Sequence, residues 1–122
     1  MEQVAIAEIR PNYKIWEKFY PQIQAEAFNG DIIPHTHPVE IECKAAKEID
    51  EIFDHISYSK GASLLKMLND FIGEEYFKKA ICLYLKQHLY SNTVSNDLWK
   101  VFDKVTGKPI TEIMNNWIQI PG

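Results

Sequence analysis

The feature that most constrains the fold is the helical spacing of apolar residues in the second half of the chain. Across residues 57–72 and 74–89, large apolar side chains return every three or four positions, which aligns them along one face of an α-helix. Two further stretches follow, one capped by Ser95 and one opened by Pro109. The pattern predicts four consecutive helices joined by short connections. The residues expected on their buried faces are Leu64, Leu65, Leu68, Phe71, Ile72, Phe77, Ala80, Ile81, Tyr84, Leu85, Leu98, Phe102, Val105, Ile110, Ile113, Met114 and Trp117.

The first half of the chain begins with helical spacing and then loses it. Residues 2–10 predict a helix that Pro11 ends, and Asn12 is placed to cap a second helix. Pro21 lies inside that second helix, where it either kinks the helix or opens a new one. From about residue 29 to residue 56 the spacing is irregular, which predicts one long surface loop. The second helix is expected to bury Trp16, Phe19, Tyr20 and Ile23.

The composition fits one folded domain. The chain has 122 residues, of which 46% are hydrophobic and 12% aromatic, so it can bury a core. We therefore predict an all-α, helical bundle-like subdomain over residues 1–122 with the long loop at about 29–56. Thirteen basic and seventeen acidic residues give a net charge of −4, and no run of Lys or Arg occurs. This charge pattern argues against nucleic acid and anionic membranes as partners.

The two cysteines give an indication of the compartment. Cys43 and Cys82 lie far apart and lack the C-x-x-C spacing of redox and zinc sites. Reduced thiols in a cytoplasmic protein suit this arrangement better than a disulfide framework, although one bridge between the two stays open. Neither cysteine has a basic or histidine neighbour that would mark a nucleophile.

Tyr58 is the first candidate for chemistry. It lies in the first turn of its predicted helix, just before Gly61 and Ala62, which are small enough to let another chain segment approach closely. On spacing alone, an aromatic residue of the core or surface is the more common interpretation. Lys60 is expected to be exposed, as lysines in a first helical turn usually are.

Histidines and acidic residues supply two weaker candidates. His35 and His37 form an H-x-H pair that could bind zinc or copper, but no further ligand stands at metal-site spacing. Loop histidines that bond to the backbone and to a neighbour are the more common case. Asp50, Glu51 and Asp54 could act as paired carboxylates, yet charges at a helix N-terminus are the more common role of such a cluster.

Several segments, in order, resemble the gluzincin-type zinc aminopeptidase family of the puromycin-sensitive kind. They are Thr36-His37-Pro38-Val39-Glu40, Glu51-Ile52-Phe53-Asp54, the stretch from Asp54 to Ser63, the stretch from Asn92 to Trp99, Gly107-Lys108-Pro109-Ile110 and Met114-Asn115-Asn116-Trp117. The resemblance implies the C-terminal helical half of a thermolysin-like catalytic domain, from an enzyme that removes N-terminal residues from peptides. Tyr58 falls at the position of the family's catalytic tyrosine, whose hydroxyl stabilises the transition state of peptide hydrolysis.

The zinc-binding pattern of that family does not occur in this sequence. The family uses H-E-x-x-H on one helix, a Glu ligand on the next, and an upstream G-x-M-E-N-type segment for the substrate amine. We therefore expect a piece of a larger enzyme that holds no zinc and is inactive alone, whereas the intact enzyme binds zinc and a peptide substrate. We also expect self-association through an apolar face around Val4, Ile6, Ile9 and Tyr58 that the intact enzyme covers. The alternative is a non-catalytic helical protein-interaction module.

Overall fold

The computed structural model of the protein describes residues 2–41 and 54–121, and every regular element in these two stretches is helical. The predicted all-α class is thus confirmed for the described residues. The chain forms two compact units. The first unit comprises the described residues up to Ser63 together with Pro121, and the second comprises Leu64–Ile120. None of the helices in the described stretches is long and apolar enough to cross a lipid bilayer.

The first unit is built from short helical segments. They are α1 (Glu2–Ile9), a 3₁₀ turn (Pro11–Tyr13), α2 (Ile15–Phe19), a π-helical turn (Tyr20–Gln24), α3 (Ala25–Asp31) and a second π-helical turn (Ile56–Lys60). Pro11 ends α1, as predicted. Asn12 does not cap α2, because it lies within the 3₁₀ turn that Pro11 opens. The cap position belongs instead to Lys14, whose left-handed backbone (φ 47°) redirects the chain into α2.

Pro21 lies in a helical turn that is wider than an α-helical one. The backbone stays in the right-handed helical region on both sides of Tyr20–Gln24, so α2 passes into α3 without a break. A wider turn accommodates the missing N–H of proline and keeps its ring away from the carbonyl four residues earlier. Phe19 is buried as predicted, but Tyr20 is 51% exposed. The helix continues to Asp31, so the predicted loop begins at Ile32, and its residues 42–53 lie outside the described residues.

The four predicted helices of the second half are confirmed. They are α4 (Gly61–Ile72), which follows directly on the second π-helical turn, α5 (Glu74–Gln87), α6 (Ser95–Thr106) and α7 (Ile110–Gln119). Ser95 is the first residue of α6 and not its cap. The cap position is Val94, whose N–H donates to the Asp97 carboxylate at 3.1 Å. Gly107, with φ 67°, ends α6 in the left-handed conformation that glycine adopts without strain.

An apolar core holds the second unit together. Helix α5 packs against α6, and α6 packs against α7. The rings of Phe77 and Phe102 lie 5.4 Å apart, and Phe102 and Ile110 are fully buried. The start of α7 is fixed by Asp103, whose carboxylate accepts hydrogen bonds from the N–H of Thr111 at 2.9 Å and from its hydroxyl at 2.5 Å.

The buried faces differ from the predicted stripes at several positions. Phe71, Leu85 and Trp117 are exposed, whereas Val101 and Ile118 are buried. The spacing of a stripe specifies that one side of a helix is apolar. The position of the neighbouring helix then decides which border residues of that side are covered, and in α7 it covers Ile118 in preference to Trp117.

Candidate functional site

Tyr58 lies at the centre of the π-helical turn Ile56–Lys60, which we call the tyrosine turn. Its neighbours Ile56, Ser59 and Lys60 are buried in the first unit, while Tyr58 is 61% exposed. The turn therefore carries the phenol at the surface of the first unit and uses the residues around it as anchors.

Asp54 caps the tyrosine turn. Its carboxylate Oδ1 accepts hydrogen bonds from the N–H groups of Ile56 and Ser57, both at 3.0 Å. Its main-chain carbonyl accepts a hydrogen bond from the N–H of Tyr58 at 3.1 Å. The two bonds to the carboxylate satisfy N–H groups that have no main-chain partner at the first turn of a helix. The prediction that Asp54 serves as a helix N-terminal charge is confirmed.

His37 holds the second oxygen of the same carboxylate. Its ring donates from Nε2 to Asp54 Oδ2 at 2.6 Å and from Nδ1 to the carbonyl of Pro38 at 2.8 Å. Both partners are acceptors, so the arrangement favours an imidazolium with a proton on each nitrogen. The predicted role of a loop histidine, bonding to the backbone and to a neighbour, is confirmed for His37.

The pKa values of this pair move in opposite directions. Burial lowers the pKa of His37, but the hydrogen bonds to Pro38 and Asp54 and the Asp54 charge outweigh burial and raise it above its ordinary 6.5. Burial raises the pKa of Asp54, but the Ser57 N–H and the His37 ring outweigh burial and bring it below its ordinary 3.8. The charge of Lys60 opposes protonation of His37. Each member of the pair therefore favours the charged form of the other.

The residues around this site do not fit a zinc ion. Both ring nitrogens of His37 already bond to oxygen atoms, and His35 is exposed. Within residues 2–41 and 54–121, no group of three or more His, Cys, Asp or Glu side chains could hold a metal. Of the other candidates, Cys43, Asp50 and Glu51 lie outside the described residues, and Cys82 is an exposed free thiol.

Helix α3 holds the far end of the tyrosine turn. The ammonium of Lys60 lies 2.7 Å from Asp31 Oδ1, and the Lys60 side chain is only 8% exposed, so the prediction of an exposed lysine is wrong. The hydroxyl of Ser59 donates to Glu26 at 3.2 Å. The two helical segments approach closely at Gly30, where a Cβ atom would lie 3.0 Å from Ile56 Cδ1. A buried lysine needs a partner, and Asp31 of α3 supplies it.

Sequence reasoning missed Glu26 and Asp31 as members of the site. They belong to a helix that carries no motif, and they lie 33 and 29 residues away from Ser59 and Lys60. One signal was available, since Asp31 stands at the end of a helix and beside a loop that leads to the tyrosine turn. At Gly61 the predicted close approach is not required by the packing, because a Cβ atom there would lie at an ordinary 3.7 Å from Val39 Cγ1.

Comparison with known proteins shows the family of the chain. Residues 1–117 match the Peptidase family M1 domain. The chain is 44% identical over 112 residues to Tricorn protease-interacting factor F2 of Thermoplasma acidophilum, covering 89% of this chain and 14% of that protein. It is 40% identical over 119 residues to Aminopeptidase M1 of Arabidopsis thaliana, covering 98% of this chain and 13% of that protein.

A third relative extends the match over the whole chain. Leucyl aminopeptidase of Saccharolobus solfataricus is 38% identical over 122 residues, which is 100% of this chain and 16% of that protein. The chain thus spans about a seventh of the length of the relatives it matches. The match covers both compact units, including the tyrosine turn and the segment that carries His37, and the chain belongs to the M1 peptidase family.

Proposed function

We propose that these residues form part of the catalytic domain of a longer zinc aminopeptidase, in which Tyr58 stabilises the transition state of peptide hydrolysis. Two of the relatives described above carry the name aminopeptidase and match this chain over nearly all of its residues. The observation that carries the proposal is the exposed Tyr58 on a turn in which the side chains of Ser59 and Lys60 are buried and hydrogen-bonded.

The chemistry follows from the position of the phenol. When a nucleophile adds to a peptide carbonyl, negative charge develops on the carbonyl oxygen, and a fixed hydrogen-bond donor aimed at that oxygen lowers the barrier. The Tyr58 hydroxyl is such a donor, and the capped turn limits its motion. We assign the zinc ion, the nucleophile and the site for the substrate amine to other parts of the longer enzyme, since the described residues do not fit a zinc ion. The exposed thiol of Cys82 suits a reducing compartment, and we propose a cytoplasmic location.

Substitution of the tyrosine tests the proposal. In the longer enzyme, Tyr58→Phe should lower kcat by about 10²–10³ with a smaller change in KM, since the lost hydrogen bond acts mainly in the transition state. Tyr20→Phe is a matched control, because Tyr20 is also exposed and also lies in a π-helical turn of the first unit. An unchanged kcat for Tyr58→Phe would reject the role of Tyr58.

The 122-residue chain alone should release no amino acid from a fluorogenic aminoacyl substrate, because it lacks the parts that we assign elsewhere. Zinc-dependent release by highly purified chain, at a rate that follows its concentration, would contradict this assignment.

A further inference from the structure

We propose that His37 and Asp54 form a positioning pair that sets the place of the Tyr58 phenol, acting through the tyrosine turn without touching the substrate. The inference rests on the proposed function of Tyr58. Neither His37 nor Asp54 takes part in the chemical step, so both would affect the reaction only through the position of Tyr58.

The two oxygens of the Asp54 carboxylate have different partners. One oxygen accepts from the two N–H groups that open the tyrosine turn, at 3.0 Å each, and the other oxygen accepts from His37 at 2.6 Å. A carboxylate that bonds through both oxygens has little freedom to rotate. The beginning of the turn is therefore tied to the segment that carries His37, which lies 17 residues earlier in the sequence than Asp54.

The His37 ring is itself held by two hydrogen bonds. His37 is held by the carbonyl of Pro38 as well as by Asp54, so its ring has a defined orientation. Two residues later, Val39 lies near Gly61, which directly follows the turn: a Cβ atom placed on Gly61 would lie 3.7 Å from Val39 Cγ1. The segment that carries His37 is thus bonded to the beginning of the tyrosine turn through Asp54 and lies near Gly61 at its end.

Tyr58 is 61% exposed, and the backbone of the tyrosine turn carries it. Its own N–H bonds to the carbonyl of Asp54 at 3.1 Å. A donor to a developing oxyanion works over a narrow range of distances, about 2.7–3.1 Å. A displacement of about 1 Å can lower a rate by about 10². Loss of the hydrogen bonds to Asp54 should therefore displace Tyr58 and lower kcat.

A double-mutant cycle in the longer enzyme tests the pair. Kinetics with a fluorogenic aminoacyl substrate would be measured for His37→Ala, Tyr58→Phe and the double variant. We expect His37→Ala to lower kcat about tenfold with less than about a twofold change in KM, and to lower it less than about twofold when Tyr58 is already Phe. An unchanged kcat for His37→Ala, or an equal loss in both backgrounds, would overturn the proposal. If Tyr58→Phe alone leaves kcat unchanged, the proposed function fails instead.

Asp54 offers a rescue that a merely structural role would not predict. Asp54→Asn keeps an oxygen for the N–H groups of the turn and presents an amide N–H to the unprotonated Nε2 of His37, so kcat should stay within about threefold of the wild-type value. Asp54→Ala removes both bonds and should lower kcat about tenfold or more. If Asp54→Asn is as slow as Asp54→Ala, the hydrogen bonds do not position Tyr58 and the proposal is wrong.

Asp103 supplies the matched folding control. Like Asp54, it accepts a backbone N–H at the start of a helix, but it does so for Thr111 in the second unit. Asp103→Ala should lower the thermal midpoint and leave kcat within about twofold of the wild-type value. A loss of kcat equal to that of Asp54→Ala would show that general destabilisation accounts for both, and would overturn the proposal. If Asp54→Ala does not fold, His37→Ala and Asp54→Asn still decide the question.

Discussion

The two compact units of the chain are held by different kinds of contact. Apart from Ser59 and Lys60, the buried side chains among the described residues of the first unit are Phe19, Ala27 and Ile56. In the second unit the buried side chains are all apolar, and they are Leu64, Leu68, Ile72, Phe77, Ala80, Trp99, Val101, Phe102, Ile110, Met114 and Ile118. The first unit relies on directional contacts, such as the bonds of Lys60 to Asp31 and of His37 to Asp54.

The difference follows from what each kind of contact can do. Apolar burial stabilises in proportion to the area removed from water and has no preferred direction. Hydrogen bonds contribute less net stability but act over a narrow range of distances and angles. A site that must hold one phenol in place needs hydrogen bonds, and the first unit, which contains Tyr58, has them. The second unit supplies a packed core.

Removal of a large side chain from the core of the second unit should have the largest effect on stability. Phe102→Ala in the 122-residue chain should lower the free energy of unfolding by about 3–5 kcal/mol, because Phe102 is fully buried against Phe77. Urea unfolding followed by circular dichroism measures the change. Leu85→Ala is the control, since Leu85 is 58% exposed, and should change stability by less than about 1 kcal/mol. A loss below 1 kcal/mol for Phe102→Ala would mean that this core is not what holds the unit.

The same measurement on Lys60 asks whether polar contacts hold the first unit. Lys60→Ala leaves Asp31 without its partner and should cost about 2–3 kcal/mol, somewhat less than for a fully buried pair because the Asp31 side chain is 19% exposed. The double variant Lys60→Met with Asp31→Leu should recover most of that loss, since it buries no unpaired charge. If the double variant is as unstable as the single one, the packing of the lysine stem matters more than its charge.

The pH dependence of stability tests how much the charges of the His37–Asp54 pair contribute to the first unit. The pKa of His37 is raised, so its contribution is present below the ordinary value of 6.5 and is lost as pH rises through the higher folded value. The pKa of Asp54 is lowered, so its contribution is present above 3.8 and is lost as pH falls through the lower folded value.

Both contributions are present between the two ordinary values. The His37 contribution is lost above that range, so from pH 6 to pH 8 the stability of the wild-type protein should fall more than that of Asp54→Asn. Both side chains are about a third exposed, so the difference should stay below about 1 kcal/mol. Urea unfolding at closely spaced pH values measures it. Parallel curves for the two proteins would show that the pair contributes no charge interaction.

The smallest expected effect is a difference between two glycines that lie next to the tyrosine turn. Gly61→Ala should raise stability by about 0.5–1 kcal/mol, because Gly61 has a helical backbone and its new Cβ would meet Val39 at an ordinary 3.7 Å. Gly30→Ala should gain less or lose stability, since its Cβ would lie 3.0 Å from Ile56 and that side chain would have to move. Thermal unfolding of both variants measures the difference, and equal gains would mean that Ile56 yields without cost.

The helices of this protein could be predicted from the sequence because their causes are local. Helical spacing, together with Pro109, predicted α4 to α7 to within a few residues, and those signals act over a single turn. Asp54 was likewise predictable as a helix N-terminal charge, because the N–H groups that it bonds belong to the next residues in the chain.

Tertiary structure alone decided which of these residues meet. The partner of His37 lies 17 residues away and the partner of Lys60 lies 29 residues away, so no local pattern marks either pair. The same holds for Trp117, which lies on an apolar stripe but stays half exposed while Ile118 is covered. A sequence specifies which side of a helix is apolar, but the packing of one segment on another decides which side chains lose water and which charges find a partner.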